Sequence, residues 1–329
     1  MTATTFEPQL NGTFPLTYDE FIGQDQAKQQ LRAAVASAKS RGTRLPHILL
    51  SAEAGVGKTS MAQLVAEDMQ KPMVVVTGQM DTNQVRMILA EMLDGDILFI
   101  DEIHTIVQGG KGKAAWALHL LENGSLMGPY GMEQQSDITI IGATTDAGRL
   151  GGTILDRFPI KPVFVPYTDD EATQIATTIA FKVWDATVKV PMPGALNCED
   201  IARVGDHNPR VIRGLLENLR DSAVANGAAH YDHELGEYNL SEILRWNGLT
   251  EDGLTDEAVR YMLALKKNFQ GGAGSAALKE ALNAPGGLER TEHLLSRKGY
   301  IARTKAGRVL TQSGIKRTIQ LERDKEAAK

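Results

Sequence analysis

Short apolar runs alternate with helical stretches between residues 47 and 166. Five runs are rich in β-branched or aromatic residues, as strands are: HILLSA (47–52), PMVVVTG (72–78), DILFIDEI (96–103), ITIIGATT (138–145) and KPVFVPY (161–167). Between the first two, apolar residues recur at helical spacing, at Met61, Leu64, Val65 and Met69. Strands that alternate with helices form parallel sheets through right-handed crossovers. The pattern predicts an α/β domain over residues 1–166, of the kind that binds nucleotides.

Only helical periodicity follows this domain. Helical segments occupy residues 168–186 and 199–227, and the proline-rich stretch VPMPG (190–194) separates them. Proline breaks helices because it lacks an N–H group and its ring clashes with the preceding turn. We therefore expect a small all-α domain over residues 167–248.

The last part of the chain changes from helices to a hairpin. Three helical stretches, at 254–269, 275–284 and 286–299, precede the segment YIARTKAGRVLTQSG (300–314), which has two β-rich pieces around a Lys-Ala-Gly turn. Three helices followed by a hairpin is the order of a winged helix-turn-helix. Residues 249–329 are therefore predicted to form a winged helix.

Length and composition limit the class of protein. The chain has 329 residues, of which 42% are apolar and 23% charged, as in ordinary globular proteins and unlike disordered or disulfide-scaffold chains. At about 150 residues per domain, it has room for two or three domains. It contains neither a run of about 20 apolar residues nor a recognisable signal peptide. We expect a cytoplasmic protein without a membrane partner.

The charge is distributed unevenly. The net charge is −6, yet residues 286–323 contain nine Lys or Arg and only three Glu. A local excess of +6 in an otherwise acidic chain is typical of a face that contacts DNA. A solvated surface is the alternative.

A glycine-rich segment follows the first predicted strand. In SAEAGVGKTS (51–60), Gly55, Gly57, Lys58 and Thr59 stand where a phosphate-binding loop runs into a helix. In such loops backbone N–H groups surround phosphate, the lysine pairs with the terminal phosphates, and the hydroxyl binds Mg²⁺. Ala52 replaces the first glycine of the motif, which is tolerable if that position does not need a positive φ. The alternative is a chance Gly-Lys-Thr after an apolar run.

Two carboxylates follow another predicted strand. The run DILFI ends in Asp101 and Glu102, at the sheet edge where α/β proteins bind their ligands. An aspartate at this point can hold hydrated Mg²⁺, and an adjacent glutamate can polarise water. With the phosphate loop, the pair predicts nucleotide hydrolysis, whereas solvated edge residues are the alternative.

Seven motifs resemble the RuvB family, AAA+ motors of Holliday-junction branch migration. They are FIGQ (21–24), AGVGKT (54–59), LFIDEIH (98–104), IIGATTDAG (140–148), DRF (156–158), PR (209–210) and GYIARTKAGRV (299–309). They occur in the family's order over residues 17–315. The resemblance implies an α/β P-loop AAA+ ATPase core with a parallel sheet, an all-α lid domain and a C-terminal winged helix that holds DNA.

The resemblance also implies the residues of the ATP site. Lys58 and Thr59 would bind phosphate and Mg²⁺, and Asp101 would support the metal. Glu102 would activate water, and Thr145 would act as a sensor at the end of its strand.

Further roles follow from the same resemblance. Arg157 would be the arginine finger that completes a neighbouring subunit's site in a homo-oligomeric ring, expected to be a hexamer. Arg210 would be a second sensor on the lid, and Ile22 and Tyr167 would line the adenine pocket. The implied nucleotide-binding set is Ile22, Gly55, Val56, Gly57, Lys58, Thr59, Ser60, Tyr167, Pro209 and Arg210.

The chain departs from the family at several positions. Asp146 and Leu155 stand where the family has arginines, so communication between subunits is expected to differ. The stretch NGSLMGPYGMEQQSD (123–137) is shorter than the hairpin-bearing segment that contacts the partner RuvA. This shortening argues against a RuvA-like partner.

Two basic groups are candidates for DNA contact. Lys111 and Lys113 lie in a glycine-flanked segment that is longer than in the family, and we expect a loop that faces a central pore or solvent. Arg303, Lys305 and Arg308 flank the predicted wing turn, where side chains can follow a DNA backbone with little base specificity. A winged helix that binds protein is the alternative.

Three functions compete at this point. The first is an ATP-driven motor that moves duplex DNA at four-way junctions or related intermediates. The second is an AAA+ loader or initiator that places another protein on DNA, which the shortened hairpin favours. An inactive structural subunit is disfavoured, because Lys58, Glu102 and Arg157 are all present.

Overall fold

The computed structural model describes residues 17–327 apart from 109–110, 125–126, 129–130, 133–136, 185–187, 270–271 and 285–287. Internal contacts divide the chain into two compact units, the first ending at Gly227 and the second beginning at Ala228. This division keeps the predicted ATPase and lid domains in one unit, and it groups residues 228–248 with the winged helix. The three-domain boundaries remain a prediction.

The first unit contains the predicted alternation of strands and helices. In chain order its elements are α1 (Asp25–Arg41), β1 (Ile48–Ser51), α2 (Lys58–Met69), β2 (Met73–Thr77), α3 (Thr82–Leu89), β3 (Ile97–Asp101), α4 (His104–Gln108), α5 (Lys111–Asn123), β4 (Met127–Gly128), β5 (Gly131–Met132), β6 (Thr139–Thr144), a 3₁₀ turn (Ala147–Leu150), α6 (Gly152–Leu155), α7 (Asp169–Val183), α8 (Ala195–Val204) and α9 (Pro209–Ala225).

Four of these strands form a parallel sheet in the order β1-β6-β3-β2. Its central strands are buried on both faces, which explains their continuous apolar sequence. Successive β3 side chains alternate between two cores: Leu98 and Ile100 pack in one, and Ile97 and Phe99 in the other. Because all four strands are parallel, the phosphate loop after β1 and the carboxylates at the end of β3 both lie at the C-terminal ends of the strands.

The fifth predicted strand is only partly formed. Two isolated parallel bridges, Ile48 with Ile160 and Ser51 with Val163, join the segment to β1. Pro162 and Pro166 interrupt it, and proline cannot donate a ladder hydrogen bond. The expectation of a regular strand at 161–167 is therefore wrong, although the segment does lie along the β1 edge.

Helices α7, α8 and α9, called the lid helices below, pack on one another at the end of the first unit. Helix α7 begins with a capping box, in which the Thr168 hydroxyl accepts from the Glu171 N–H and the Glu171 carboxylate accepts from the Thr168 N–H. Helix α9 begins after the cap residue Asn208, with Pro209 in its first turn. Both starts have the local sequence signals that the helical prediction requires.

The second unit contains the winged helix. Its elements are β7 (Tyr231–Asp232), β8 (Glu237–Tyr238), α10 (Leu240–Trp246), α11 (Asp256–Asn268), α12 (Ser275–Ala281), α13 (Glu289–Arg297), β9 (Ile301–Thr304), β10 (Gly307–Leu310) and α14 (Gln312–Ala327). Three helices followed by the antiparallel pair β9–β10 confirm the predicted order. Tyr261, Leu278 and Leu295 are fully buried in its core.

The small hairpin β7–β8 differs from the sequence prediction, which made residues 167–248 entirely helical. Tyr231 and Tyr238 are paired across it, with ring centroids 4.8 Å apart, so an aromatic contact stabilises a turn that helical periodicity cannot reveal. Within the described ranges, no helix is long and apolar enough to span a bilayer.

Candidate functional site

The phosphate loop (residues 52–59) connects β1 to α2 through two glycines with positive φ. A Cβ atom at Gly55 would lie 2.2 Å from Oδ1 of Asn208, and one at Gly57 would lie 2.8 Å from the Phe21 ring. Glycine is therefore required at both positions for conformation and for space. The first helical residue is Lys58, so the N–H groups of α2 face the loop as an anion site.

Ala52, at the first glycine position of the motif, fits the loop. It is not among the described residues with positive φ, so its Cβ atom causes no backbone strain. Its N–H donates to the Thr144 carbonyl at 3.1 Å, which ties the start of the loop to the end of β6. The condition for tolerating alanine here is met.

Lys58 lies within the loop, with only 8% of its surface exposed. Its ammonium group donates to the carbonyls of Ala52 and Glu53 at 2.7 and 2.9 Å. Burial lowers the pKa of Lys58, while the nearby carboxylates of Glu102 and Asp101 oppose that shift. The two acidic residues are thus close enough to interact with the lysine, as the sequence predicted.

Glu102 is held in a defined position after β3. Its φ is 48°, a left-handed conformation that is unusual for a side chain of this kind. Its Oε2 accepts from the N–H and hydroxyl of Thr145 at 3.2 and 3.1 Å and lies 3.1 Å from Nδ1 of His104. Asp101 accepts from the Glu102 N–H at 3.0 Å. Three predicted site residues therefore meet here.

His104 is a part of the site that sequence reasoning missed. It is buried, and its Nδ1 also lies 3.0 Å from the Thr144 hydroxyl. The imidazole therefore fixes the Glu102 carboxylate against the end of β6. Its place in LFIDEIH, two residues after Glu102, was the available signal.

A pocket beside the loop contains both residues expected to line the adenine pocket, Ile22 and Tyr167. Five predicted residues line it: Ile22, Gly57, Ser60, Tyr167 and Pro209. Phe21, Ile175 and Ile179 add apolar surface that the sequence did not predict. The Tyr167 hydroxyl donates to the Val56 carbonyl at 2.9 Å, and burial raises its pKa to about 12. The pocket thus has a largely apolar lining, to which Glu20, Thr178 and Lys182 add polar groups, and it adjoins the phosphate loop.

The lid helices reach the phosphate loop through Asn208, which sequence reasoning also missed. Its Nδ2 donates to the Ala54 carbonyl at 2.7 Å, and its Oδ1 accepts from the N–H groups of Arg210 and Val211. Arg210 lies close enough to Lys58 to contribute to its lowered pKa. The predicted lid arginine is therefore near the predicted phosphate-binding lysine.

Arg157 lies elsewhere, in a cleft that it shares with His47 and Glu122. His47 directly precedes β1, so this cleft is at the N-terminal end of the strand, whereas the phosphate loop follows its C-terminal end. Arg157 forms an ion pair with Glu122, and 42% of its side chain remains exposed. It is not part of its own chain's nucleotide site, which suits a residue that acts on a neighbour.

The two departures from the family have local partners. Asp146 pairs with Arg149 at 2.8 Å and donates its N–H to the Thr144 hydroxyl. Leu155 packs against the apolar core beneath α6. Both positions therefore have contacts of their own in this chain.

The segment that carries Lys111 and Lys113 is not the expected loop. Both residues belong to the first turn of α5, and their side chains lie outside the described part of the chain. The residues that follow, KAAWALHLLE (113–122), are rich in alanine and leucine, which favour helix, and α5 therefore includes the segment that was expected to be a loop. Residues 123–137, the segment expected to be shorter than in the family, include β4 and β5, two antiparallel strands of two residues each.

The wing is the hairpin β9–β10, with Lys305 and Ala306 at its turn. Arg303 and Arg308 are opposite each other across it, and both pair with Oε2 of Glu292 on α13, at 3.2 and 2.9 Å. The Glu292 side chain is only 4% exposed, and Tyr261 donates to its other oxygen at 3.2 Å. Arg308 is 22% exposed and Arg303 73%. The two arginines thus differ in their access to a ligand.

A phosphate loop and an acidic strand end on one sheet edge are general to P-loop ATPases. The lid narrows the class, because α9 binds the loop through Asn208 and places Arg210 near Lys58. A P-loop core followed by such a helical lid defines an AAA+ ATPase.

Comparison with known proteins identifies the family. The family description "Holliday junction DNA helicase RuvB P-loop domain" matches residues 14–163, and "RuvB C-terminal winged helix domain" matches residues 251–318. The Holliday junction branch migration complex subunit RuvB of Kosmotoga olearia is 31% identical over 94% of this chain and 91% of its own length. The protein of that name from Anaeromyxobacter dehalogenans is 31% identical over 96% and 91%. The chain belongs to the RuvB family.

Solved structures agree. The Thermotoga maritima RuvB Holliday junction branch migration motor superposes with a TM-score of 0.75 at 26% identity, over 92% of this chain and 97% of that one. A threonine-to-valine variant of the same protein gives a TM-score of 0.77 at 27% identity, with the same coverage. The similarity thus extends over both units.

Proposed function

We propose that this protein is an ATP-driven motor that moves duplex DNA at Holliday junctions. The observation that carries the proposal is that one chain combines the assembled nucleotide site with a winged helix, and resembles RuvB proteins over more than nine-tenths of its length. Hydrolysis and DNA contact are thus available in the same subunit.

In the proposed site, Gly55, Val56, Gly57 and Lys58 hold the phosphates of ATP. Because α2 begins at Lys58, its first N–H groups are available to an anion, and the positive φ of Gly55 and Gly57 gives the loop the turn that leads into them. Thr59 and Asp101 would hold Mg²⁺, since a hydroxyl and a carboxylate are the hard oxygen ligands that it prefers. When bound, Mg²⁺ would neutralise part of the negative charge of the phosphates.

Glu102 would orient the attacking water and accept its proton. The hydrogen bonds from Thr145 and the contact with His104 support this role, because they fix the carboxylate before the reaction. Thr145 would sense the nucleotide through the same contact. Arg210 would act on the phosphates from the lid, while Ile22, Ser60, Tyr167 and Pro209 enclose the base.

Arg157 would complete the site of a neighbouring subunit in a homo-oligomeric ring, proposed to be a hexamer. Its location at the sheet edge opposite to Lys58 supports action in trans, because one chain cannot use both ends of its sheet on one nucleotide. An arginine finger supplied by a neighbour couples hydrolysis to assembly.

The motor is best tested on a synthetic four-way junction with the purified protein alone. We expect branch migration that requires ATP and Mg²⁺, because copies of this chain alone would supply every residue of the proposed site, including the neighbour's Arg157. Turnover of ATP without movement of the junction, at concentrations where the protein assembles, would favour the loader. The loader or initiator remains the second candidate, because β4 and β5, in the segment expected to be shorter than the family's hairpin region, have only two residues each.

The wing is proposed to contact DNA phosphates through Arg303 and Lys305, with Arg308 as the less accessible third member. Replacing Arg303 and Lys305 together by Ala should weaken binding equally for unrelated sequences, because phosphate contacts carry no sequence information. The slope of log affinity against log salt should fall by about 0.9 per lost contact. Affinity measured against salt on two duplexes and a four-way junction checks this.

Lys267→Ala is the matched control, since Lys267 is an exposed lysine on α11 outside the basic segment. Arg308 is retained because it donates twice to the buried Glu292 and remains beside that carboxylate once Arg303 is replaced. Replacing Arg308 as well would leave the buried charge without either arginine and cost about 3 kcal/mol. An unchanged salt slope in the double variant would assign the winged helix to protein binding.

A further inference from the structure

His47 connects the strand that leads into the phosphate loop with the segment that carries Arg157. It directly precedes β1, which runs without interruption to Ser51 and the loop. Its side chain is buried and lines the cleft that contains Arg157. The imidazole is therefore at the Arg157 end of the strand whose other end leads into the phosphate loop.

The hydrogen bonds of His47 fix its protonation state. Its Nδ1 accepts from the Ile140 N–H at 2.9 Å, and its Nε2 lies 3.0 Å from the Leu121 carbonyl, which can only accept. The ring is thus neutral, with its proton on Nε2. Burial lowers the pKa of His47 to about 4, helped by Arg44 and opposed by the Leu121 bond and Asp137. The imidazole keeps this form at neutral pH.

The imidazole contacts a chain neighbour of Arg157 and a chain neighbour of its ion-pair partner, Glu122. Leu121, which accepts from His47, directly precedes the Glu122 that pairs with Arg157. Phe158, the residue after Arg157, packs edge-on against the imidazole with centroids 6.4 Å apart. The His47 carbonyl also accepts from the Ile160 N–H. Displacing the imidazole would therefore release two of the contacts that locate the Arg157 backbone and its ion-pair partner.

We propose that His47 is a positioning residue that holds Arg157 in the orientation required by the neighbouring subunit's nucleotide site. This inference rests on the proposed action of Arg157 in trans. A guanidinium that is misplaced by about 1 Å costs on the order of 100-fold in rate, so loss of a positioning contact should be measurable in the neighbour. The subunit's own site, on the other sheet edge, should be affected much less.

Mixed rings separate these two effects. The reference mixture combines Lys58→Ala subunits, which donate an intact Arg157, with Arg157→Ala subunits, which provide an intact site. His47→Asn is then added to the donor or to the acceptor. Asparagine can still accept from the Ile140 N–H but is too short to reach the Leu121 carbonyl. We expect ATPase activity to fall at least tenfold when it is in the donor, and less than twofold when it is in the acceptor.

Two further variants serve as controls. His47→Gln extends its amide to the position of Nε2 and should retain donor activity within about threefold of the reference. Thr139→Val removes a buried hydrogen bond to the Leu45 carbonyl at the same end of the sheet, and neither partner of that bond belongs to the Arg157 segment. It should act equally in donor and acceptor.

The outcomes are distinct. An equal loss in donor and acceptor, or no loss in either, would make His47 a purely structural residue and overturn the inference. If His47→Asn does not assemble, Phe158→Leu in the donor removes the ring contact instead, and the same asymmetry is required. No activity in the reference mixture, with assembly confirmed, would overturn the trans action of Arg157, and the inference with it.

Discussion

Glu102→Gln is expected to bind ATP as the unmodified protein does and to hydrolyse it 10² to 10⁴ times more slowly, the usual contribution of a positioned general base. The amide retains the size of the carboxylate and can still accept from Thr145. It cannot take a proton from water. Nucleotide affinity by fluorescence titration and kcat by phosphate release, measured on the same preparation, check both halves of the expectation.

Glu67→Gln is a suitable control, because Glu67 is an exposed glutamate on α2, within the same domain. It should change neither binding nor turnover. Hydrolysis by Glu102→Gln at the unmodified rate would mean that another group activates water. Loss of ATP binding would instead mean that Glu102 mainly shapes the site.

Arg157→Ala should lower kcat by 10³ to 10⁵, the range found when an arginine finger is removed, while each subunit still binds ATP. The guanidinium stabilises charge that develops in the transition state and therefore contributes little to ground-state affinity. The check is steady-state ATPase activity at protein concentrations above assembly, together with nucleotide affinity.

Mixing Arg157→Ala with Lys58→Ala subunits should restore part of the activity, since some interfaces then pair an intact phosphate loop with an intact arginine. Activity should pass through a maximum as the mixing ratio varies. Arg149→Ala is the control, because the ion pair of this exposed arginine is a local one with Asp146, three residues away. A flat response across all ratios would contradict a shared site.

The architecture of the ATPase core could be predicted because its signals are local. Four of the five apolar runs form the parallel sheet. Gly57 and Lys58 lie at the start of α2, and Asp101 is the last residue of β3, as the sequence predicted. The prediction of a fifth strand was wrong, because apolar content does not reveal whether a segment has the backbone N–H groups that a β-ladder needs. The prolines of KPVFVPY carried that information in the sequence itself.

The rest of the site depends on contacts between distant parts of the chain. Asn208 binds a carbonyl 154 positions away, and Arg308 pairs with a buried carboxylate on another element. A charge count treats Arg303, Lys305 and Arg308 as equivalent, whereas the fold assigns one of them largely to an internal ion pair. No local pattern records such pairings, since either partner by itself has the sequence of an ordinary surface residue.

The side-chain amide of Asn208 makes two separate contacts, one within the lid helices and one with the phosphate loop. Its oxygen caps α9 within the lid, whereas its nitrogen binds Ala54 in the phosphate loop. Loss of the bond to Ala54 would carry a net cost of about 1 kcal/mol and would leave the bonds that cap the start of α9 intact. The cap of α9 is therefore independent of the hydrogen bond that joins the lid helices to the entrance of the phosphate site.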